Sequence, residues 1–173
     1  MGTLLQLSEI RGLCRSISDH YEPEKILTAI DEAEHLDIKN AIGEQLYIDL
    51  VEAQTGTTLD PDQRLLLDGG IYTVEERRYE LKGLKSSIAY FALGQMIKTA
   101  NHNVVRFGFV EKDTDVSTVP EWRKQIQAAN DARSVATAYL NEVLKFIKLK
   151  ELDRHYDCRD VPRRRQRFNP IGD

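Results

Sequence analysis

The sequence contains few cysteines and no long apolar run. Its two cysteines, Cys14 and Cys158, lie far apart in a chain of 173 residues. A small secreted domain held together by disulfides would carry more of them, so we expect both thiols to be reduced, as they are in the cytoplasm. The longest strongly apolar run, Ile88 to Ile97, is about half of the roughly 20 residues that a membrane span requires. We therefore expect no transmembrane helix.

The beginning of the chain lacks the features of a secretory signal peptide. Met1 to Leu7 is partly apolar, but it has no basic region and no cleavage site. We interpret it as part of the mature protein. Hydrophobic residues make up 41% of the chain and charged residues 30%, which is typical of a globular protein. The length corresponds to one domain.

Motifs that indicate catalysis or metal binding are also missing. None of the four histidines stands in an HExxH pattern or beside a motif typical of a nucleophilic serine or cysteine. His155 and Cys158 form an HxxC pair, but a structural zinc site needs about four ligands. Asp113 and Asp115 alternate as in a calcium loop, without its glycine or its distal glutamate. We therefore predict no catalytic residue, no cofactor and no metal site, and we expect that the protein is not an enzyme.

The first half of the chain is dominated by helical signals. Apolar residues at helical spacing predict a short helix over residues 8–18 and another that begins near Pro23, a residue favoured in the first turn. Gly43 separates the latter from a helix over residues 44–53. Asp60 and Pro61 open a further helix as N-cap and first helical residue, and it should end at Asp68-Gly69-Gly70.

The second half contains two longer helical signals with a strand-like segment between them. Thr73-Val74-Glu75-Glu76 has the pattern of a capping box, and it predicts a helix that runs to about Asn101 and lies at the centre of the fold. Val104 to Val110 is rich in β-branched and aromatic residues, which predicts a strand or a hairpin with its return arm near Val116. A second capping pattern at Thr118 to Glu121 opens a helix of about 30 residues.

These signals predict a mainly α fold, a small helical bundle with two long helices and one short strand or hairpin excursion between them. We assign residues 1–152 to the helical domain, with 1–18 as an N-terminal extension and 104–117 as a projecting loop. Residues 153–173 form an extended, arginine-rich tail.

Two segments are candidate interaction sites. The loop presents an apolar group that either packs as core or pairs with another chain: Val104, Val105, Phe107, Phe109 and Val110. The tail contains a cluster of arginines that could dock on an acidic partner or on nucleic acid: Arg159, Arg163, Arg164, Arg165 and Arg167.

Part of the chain resembles the head–tail connector proteins, also called adaptor or head-completion proteins, of tailed double-stranded DNA phages and prophages. The resemblance rests on Ala89-Tyr90-Phe91-Ala92, on the segment from Asn101 to Ser117 with Arg106-Phe107-Gly108-Phe109-Val110, and on Ala33 to Leu50 with Ile42-Gly43-Glu44. Together these segments cover roughly half of the chain.

The resemblance implies a structural protein that assembles into a ring, commonly a dodecamer, beneath the portal. The expected partners are other copies of the chain, the portal protein, a downstream connector or tail protein, and DNA that passes through the lumen without sequence-specific binding. The expected locations are the bacterial cytoplasm during assembly and then the head–tail junction of the virion, with no membrane contact. The alternative is a small helical regulator that binds nucleic acid through its arginine-rich tail.

Overall fold

The computed structural model describes residues 3–15, 17–18, 21–56, 59–99 and 122–150, together with the backbone of 102–105 and 108–111. The chain is mainly α-helical, as predicted. The helices, in chain order, are α1 (Leu7–Leu13), α2 (Pro23–Glu32), a π-helix (Ala33–Ile38), α3 (Lys39–Ile42), α4 (Glu44–Thr55), α5 (Pro61–Asp68), α6 (Leu84–Thr99) and α7 (Trp122–Lys150). The strands are β1 (Gly70–Val74), β2 (Arg77–Leu81), β3 (His102–Val105) and β4 (Gly108–Glu111).

The helix α6 lies at the centre of the fold. Eleven of its sixteen residues are buried, and it packs against α1, α2, the π-helix, α5 and α7. A helix that is apolar on nearly all sides must be covered on nearly all sides, so the prediction of a central helix is confirmed. The other helices are arranged around it.

The helices α6 and α7 form an antiparallel pair that packs closely because small residues face each other. A Cβ atom at Gly94 would lie 3.0 Å from Cγ of Arg133 and 3.3 Å from the carbonyl oxygen of Ala129. Ala132 and Ala136 are fully buried on the same face of α7. The hydroxyl of Ser87 donates a hydrogen bond to the carbonyl of Ala136 at 2.9 Å, which fixes the register of the two helices.

The predicted start of the central helix was wrong. Residues 70–81 form an antiparallel hairpin in which Tyr72 is opposite Tyr79 and Val74 is opposite Arg77, and α6 begins only at Leu84. Thr73 to Glu76 fits a capping box locally, but Ile71 to Val74 is a β-branched and aromatic run that pairs across a two-residue turn.

Two glycines connect this hairpin to the helices on either side of it, Gly69 after α5 and Gly83 before α6. Gly69 and Gly83 both have a φ of 81°, a conformation that L side chains rarely adopt. A Cβ at Gly83 would lie 2.5 Å from the backbone nitrogen of Gly69. The chain therefore crosses itself at the base of the hairpin, where no side chain fits.

The second hairpin also differs from its predicted form. The strand β3 pairs antiparallel with β4, with Val104 opposite Phe109 and Val105 opposite Gly108. The return strand is thus 108–111, and the predicted return arm near Val116 was wrong, because Gly108 begins the second strand instead of lying inside one long strand. The predicted cap at Thr118 to Glu121 and the tail 153–173 lie outside the described residues.

The remaining boundaries agree with the sequence to within a few residues. The helix α1 ends at Leu13, earlier than the predicted Ser18. The helix α5 has the predicted Asp60 cap, with a capping box to Gln63, and ends before Gly69. The π-helix after α2 was not predicted.

The turn of the first hairpin provides a test of whether residues 70–81 form a hairpin. Glu75 and Glu76 have φ values of 48° and 65°, which is strained for residues with a Cβ. We expect Glu76→Gly to raise the free energy of unfolding by about 0.5–1 kcal/mol, measured by urea denaturation. Gln127→Gly on the exposed face of α7 should lower it by about 0.5–1 kcal/mol. A loss of stability in Glu76→Gly would indicate that residues 73–83 are helical after all.

Candidate functional site

The predicted loop residues lie on the second hairpin, close to the end of α6. Val104 and Val105 belong to β3, and Phe109 and Val110 belong to β4; Phe107 lies outside the described residues. Val104 and Phe109 are directly opposite each other in the register of the two strands. Whether these side chains face a partner or the core stays a prediction.

The predicted tail residues lie outside the described part of the chain. They are Arg159, Arg163, Arg164, Arg165 and Arg167. The last described residue, Lys150, ends α7 and forms an ion pair with Asp62 of α5 at 3.0 Å. The end of α7 is therefore tied to α5.

A buried polar cluster, which the sequence did not reveal, holds the N-terminal segment against the helical body. Glu34 is fully buried. Its Oε1 accepts a hydrogen bond from the backbone N–H of Leu5 at 2.9 Å, and its Oε2 accepts one from the hydroxyl of Tyr47 at 2.8 Å. The side-chain amide of Gln54 donates to the carbonyl of Leu4 at 3.1 Å. We call Glu34, Tyr47, Gln54 and the backbone of Leu4 and Leu5 the N-terminal clasp.

The π-helix brings Glu34 into this position. Ile26, Ile30, Glu34, Ile38 and Ile42 recur every four residues and are all buried. In a regular α-helix of 3.6 residues per turn, such a series would drift around the axis. The wider turn of the π-helix at Ala33–Ile38 compensates for that drift. The sequence signal for the π-helix was the repeat of buried residues at every fourth position. It was missed because Glu34 interrupts the series of isoleucines.

Burial of Glu34 raises its pKa, and the hydrogen bonds from the Leu5 and Leu4 backbone and from Tyr47 act in the opposite direction. Burial also raises the pKa of Tyr47, as does the neighbouring Glu34 carboxylate. Both carboxylate oxygens are occupied by protein donors. The cluster therefore acts as a structural tie between the N-terminal segment, the π-helix and α4.

A second polar junction joins α1, α5 and α6. The ammonium of Lys85 lies 2.8 Å from Oε1 of Glu9 and 2.8 Å from Oδ1 of Asp68. Burial lowers the pKa of Lys85, but the hydrogen bonds to Asp68 and Glu9 outweigh it and the pKa is raised. Because one cation is paired with two carboxylates, Lys85 stays charged and fixes three helices relative to one another.

The α6–α7 pair carries one β-hairpin at each end. The Tyr72 ring of β1 packs edge-on against Phe146, near the end of α7, with ring centroids 4.9 Å apart. At the opposite end, the amide of Gln125 donates to the carbonyl of Ile97, and β3 begins three residues after α6 ends. With 29 residues, α7 is about 43 Å long. We call this pair the α6–α7 rod: the first hairpin packs against one end of it, and the second hairpin follows α6 in the chain at the other end.

Exposed large apolar side chains occur near both ends of this rod. At the start of α7, Trp122 is 63% exposed and Ile126 is 41% exposed. At the other end, Ile71 of β1 is 62% exposed and Leu149 of α7 is 51% exposed. Side chains of this kind at the ends of a rigid element are candidates for partner contacts.

Comparison with known proteins places this sequence among relatives of unknown function. Residues 38–165 match the family of unknown function DUF6712. The chain belongs to that family. The match spans α3 to α7 and extends into the arginine cluster, whereas the N-terminal segment held by Glu34 precedes it. Searches of curated proteins and of solved structures gave no significant match.

Metal-binding groups and membrane-spanning helices are both absent from the described residues. Within the ranges that the structure describes, no three His, Cys, Asp or Glu side chains are grouped so that they could hold a metal ion. Among the same residues, no helix has both the length and the hydropathy that a membrane span needs.

The raised pKa of Glu34 predicts an unusual dependence of stability on pH. A carboxyl group whose pKa is higher in the folded state contributes stability below its unfolded pKa, and this contribution is lost as pH rises through the folded pKa. Relative to Glu34→Gln, the native protein should therefore lose stability as pH rises from the acid range through the raised pKa of Glu34, measured by urea unfolding at each pH.

Glu44 provides a matched control of opposite sign. Its hydrogen bond and ion pair with Lys39 lower its pKa, so the native protein should gain stability relative to Glu44→Gln as pH rises from the acid range. A constant difference between the native protein and Glu34→Gln at every pH would show that the Glu34 carboxyl titrates alike in both states.

Proposed function

We propose that this chain is a structural assembly protein, a head–tail connector of a tailed phage or prophage, that forms a ring below the portal and extends the DNA channel. The observation that carries the proposal is the α6–α7 rod with a hairpin at each end. A connector must span a fixed distance between two neighbouring components and present a contact surface to each of them. A rigid helical pair with sheets at both ends meets this requirement.

The two hairpins support contacts by strand addition. Among the residues that the structure describes, each sheet has two strands, so each has outer edges whose backbone groups have no third strand from that part of the chain. Such edges can pair with a strand from another chain. The exposed Trp122, Ile126, Ile71 and Leu149 would add apolar contact area beside these edges.

The polar clusters support a structural role in another way. Glu34 and Lys85 are buried ionisable groups of the kind that active sites use, yet their hydrogen-bonding atoms are occupied by partners within the fold. They fix the positions of α1, α4, α5 and the π-helix around α6. A ring subunit needs this rigidity, because small errors in subunit shape accumulate around a closed ring.

The direct test is co-expression of the full chain with the portal protein encoded near its gene. We expect the two to co-purify, and electron microscopy to show a ring of this protein on one face of the portal. The expected genomic context is a neighbouring portal gene and a neighbouring major capsid gene. An isolated chain whose DNA binding falls steeply with salt and is lost when Arg163, Arg164, Arg165 and Arg167 are replaced by alanine would instead support the regulator.

The second hairpin gives a sharper prediction. We expect Phe107→Ser combined with Phe109→Ser to abolish ring formation on the portal, because the variant removes two aromatic side chains from a partner-facing hairpin. The melting temperature should change by less than about 2 °C, measured by circular dichroism. A much larger fall in melting temperature would show that the two phenylalanines belong to the core and contribute to stability.

A further inference from the structure

Charge is distributed unevenly between the α2–α4 region and the α6–α7 pair. Residues 21–56, which form α2, the π-helix, α3 and α4, contain nine acidic residues and two lysines. The helices α6 and α7 together contain eight lysines and arginines and two acids. The α2–α4 region is therefore acidic and the α6–α7 pair basic, although the whole chain has a net charge of only −4.

The acidic region has an exposed apolar residue between two carboxylates. Glu24, Leu27 and Asp31 lie on one face of α2, since they are spaced by three and four residues. Leu27 is 44% exposed, and the side chain of Asp31 is 64% exposed. The helix dipole accounts for an acid in the first turn, such as Glu24. Asp31, near the end of α2, lies 3.4 Å from Nδ1 of His35, and its side chain is still mostly exposed.

The basic helix pair has the corresponding arrangement. Lys145, Lys148 and Leu149 lie on the last turns of α7, and all three are exposed. Among the described residues, neither Lys145 nor Lys148 has an ion pair, whereas Lys150 and Arg133 are paired with Asp62 and Asp37.

The nearest acid of α7 to this group is Glu142, three residues before Lys145. Glu142 is half-buried, and one carboxylate is outnumbered by the two lysines. Lys145 and Lys148 therefore present a net positive surface around Leu149.

We propose that the exposed face of α2 in one copy (Glu24, Leu27 and Asp31) docks on the last turns of α7 in a second copy (Lys145, Lys148 and Leu149). Leu27 and Leu149 form the apolar centre of this contact, and the carboxylates and ammonium groups form its charged rim. The contact is head-to-tail, because it joins two different surfaces, and repeated contacts of this kind close into a ring when the rotation permits.

The inference rests on the proposed function in one respect, since it assigns the surfaces through which ring subunits would meet. It does not depend on the portal or on DNA, so it can be tested separately.

A second copy fits the basic surface better than nucleic acid does. The unpaired bases of α7 are divided between its two ends, with Arg123 and Lys124 at one end and Lys145 and Lys148 at the other. Phosphate binding favours positive charge spread along a continuous groove. An exposed leucine beside two lysines needs an apolar contact as well as a negative charge, and α2 supplies both.

Zero-length carbodiimide cross-linking tests this contact, because it joins a lysine to a carboxylate that forms an ion pair with it. Full-length protein labelled with nitrogen-15 is mixed with unlabelled full-length protein, and mixed-isotope peptides identify links between copies. We expect links from Lys145 and Lys148 to Glu24 and Asp31. Their yield should fall severalfold as NaCl is raised from about 0.05 M to about 0.5 M. The absence of these links at low salt would overturn the inference.

Charge reversal provides the second arm. Lys145→Glu with Lys148→Glu, or Glu24→Lys with Asp31→Lys, removes one reacting group of each link and places like charges opposite each other, so both variants should form no link between the two surfaces. Combining all four changes in one chain should restore them, because opposite charges then face each other again. Arg123→Glu with Lys124→Glu is the matched control and should leave the links unchanged. Circular dichroism establishes that each variant is folded.

The outcomes separate this inference from the proposed function. Failure of the combined variant to restore the links would overturn the inference, and so would salt-dependent DNA binding that is lost in Lys145→Glu with Lys148→Glu, if the native protein forms no α2–α7 links. A ring that forms on the portal without α2–α7 links would refute this contact and leave the connector proposal intact. Links that form in a protein with no portal association would support the contact and count against the connector.

Discussion

The burial of α6 on nearly all sides is the constraint on which the rest of the structure depends. A buried helix must find partners for its polar side chains as well as its apolar ones, and α6 has three polar residues in succession near its start. Lys85 pairs with Glu9 and Asp68, Ser86 donates to the carbonyl of Lys82, and Ser87 donates to the carbonyl of Ala136. These bonds determine where α1, α5 and α7 must lie. The apolar contacts then fill the space that the bonds define.

The N-terminal clasp shows the same requirement, because Glu34 is a buried polar side chain that must find hydrogen-bond donors. The carboxylate of Glu34 is buried at a cost in free energy that only well-placed donors can offset. Those donors are a backbone N–H from the N-terminal segment and a hydroxyl from α4. Because both donors come from other elements, the π-helix, α4 and residues 4–5 form one unit. The N-terminal extension predicted from the sequence is thus part of the core, with Leu4, Leu5 and Ile10 fully buried.

Local sequence signals predicted much of this fold, and their failures share one physical cause. The Pro23 and Asp60-Pro61 signals identify helix starts correctly, because a helix cap depends on residues within one turn. The π-helix and the first hairpin were missed, because each depends on a partner distant in sequence: Tyr47 for Glu34, and Phe146 for Tyr72. The charge division between α2 and α7 was hidden for the same reason. Residue counts along the chain do not show which of these charges are exposed in the folded protein.

The first hairpin and α5 cover the part of α7 that α6 does not reach. The helix α6 has 16 residues and α7 has 29, so α7 extends about 20 Å beyond what α6 alone can cover. On that extension, Val143, Phe146 and Ile147 are buried, and Tyr72 and α5 provide the cover. Lys145, Lys148 and Leu149 are exposed on the same extension. The extension of α7 therefore has a buried side that the hairpin covers and an exposed basic side that we assign to contacts between copies.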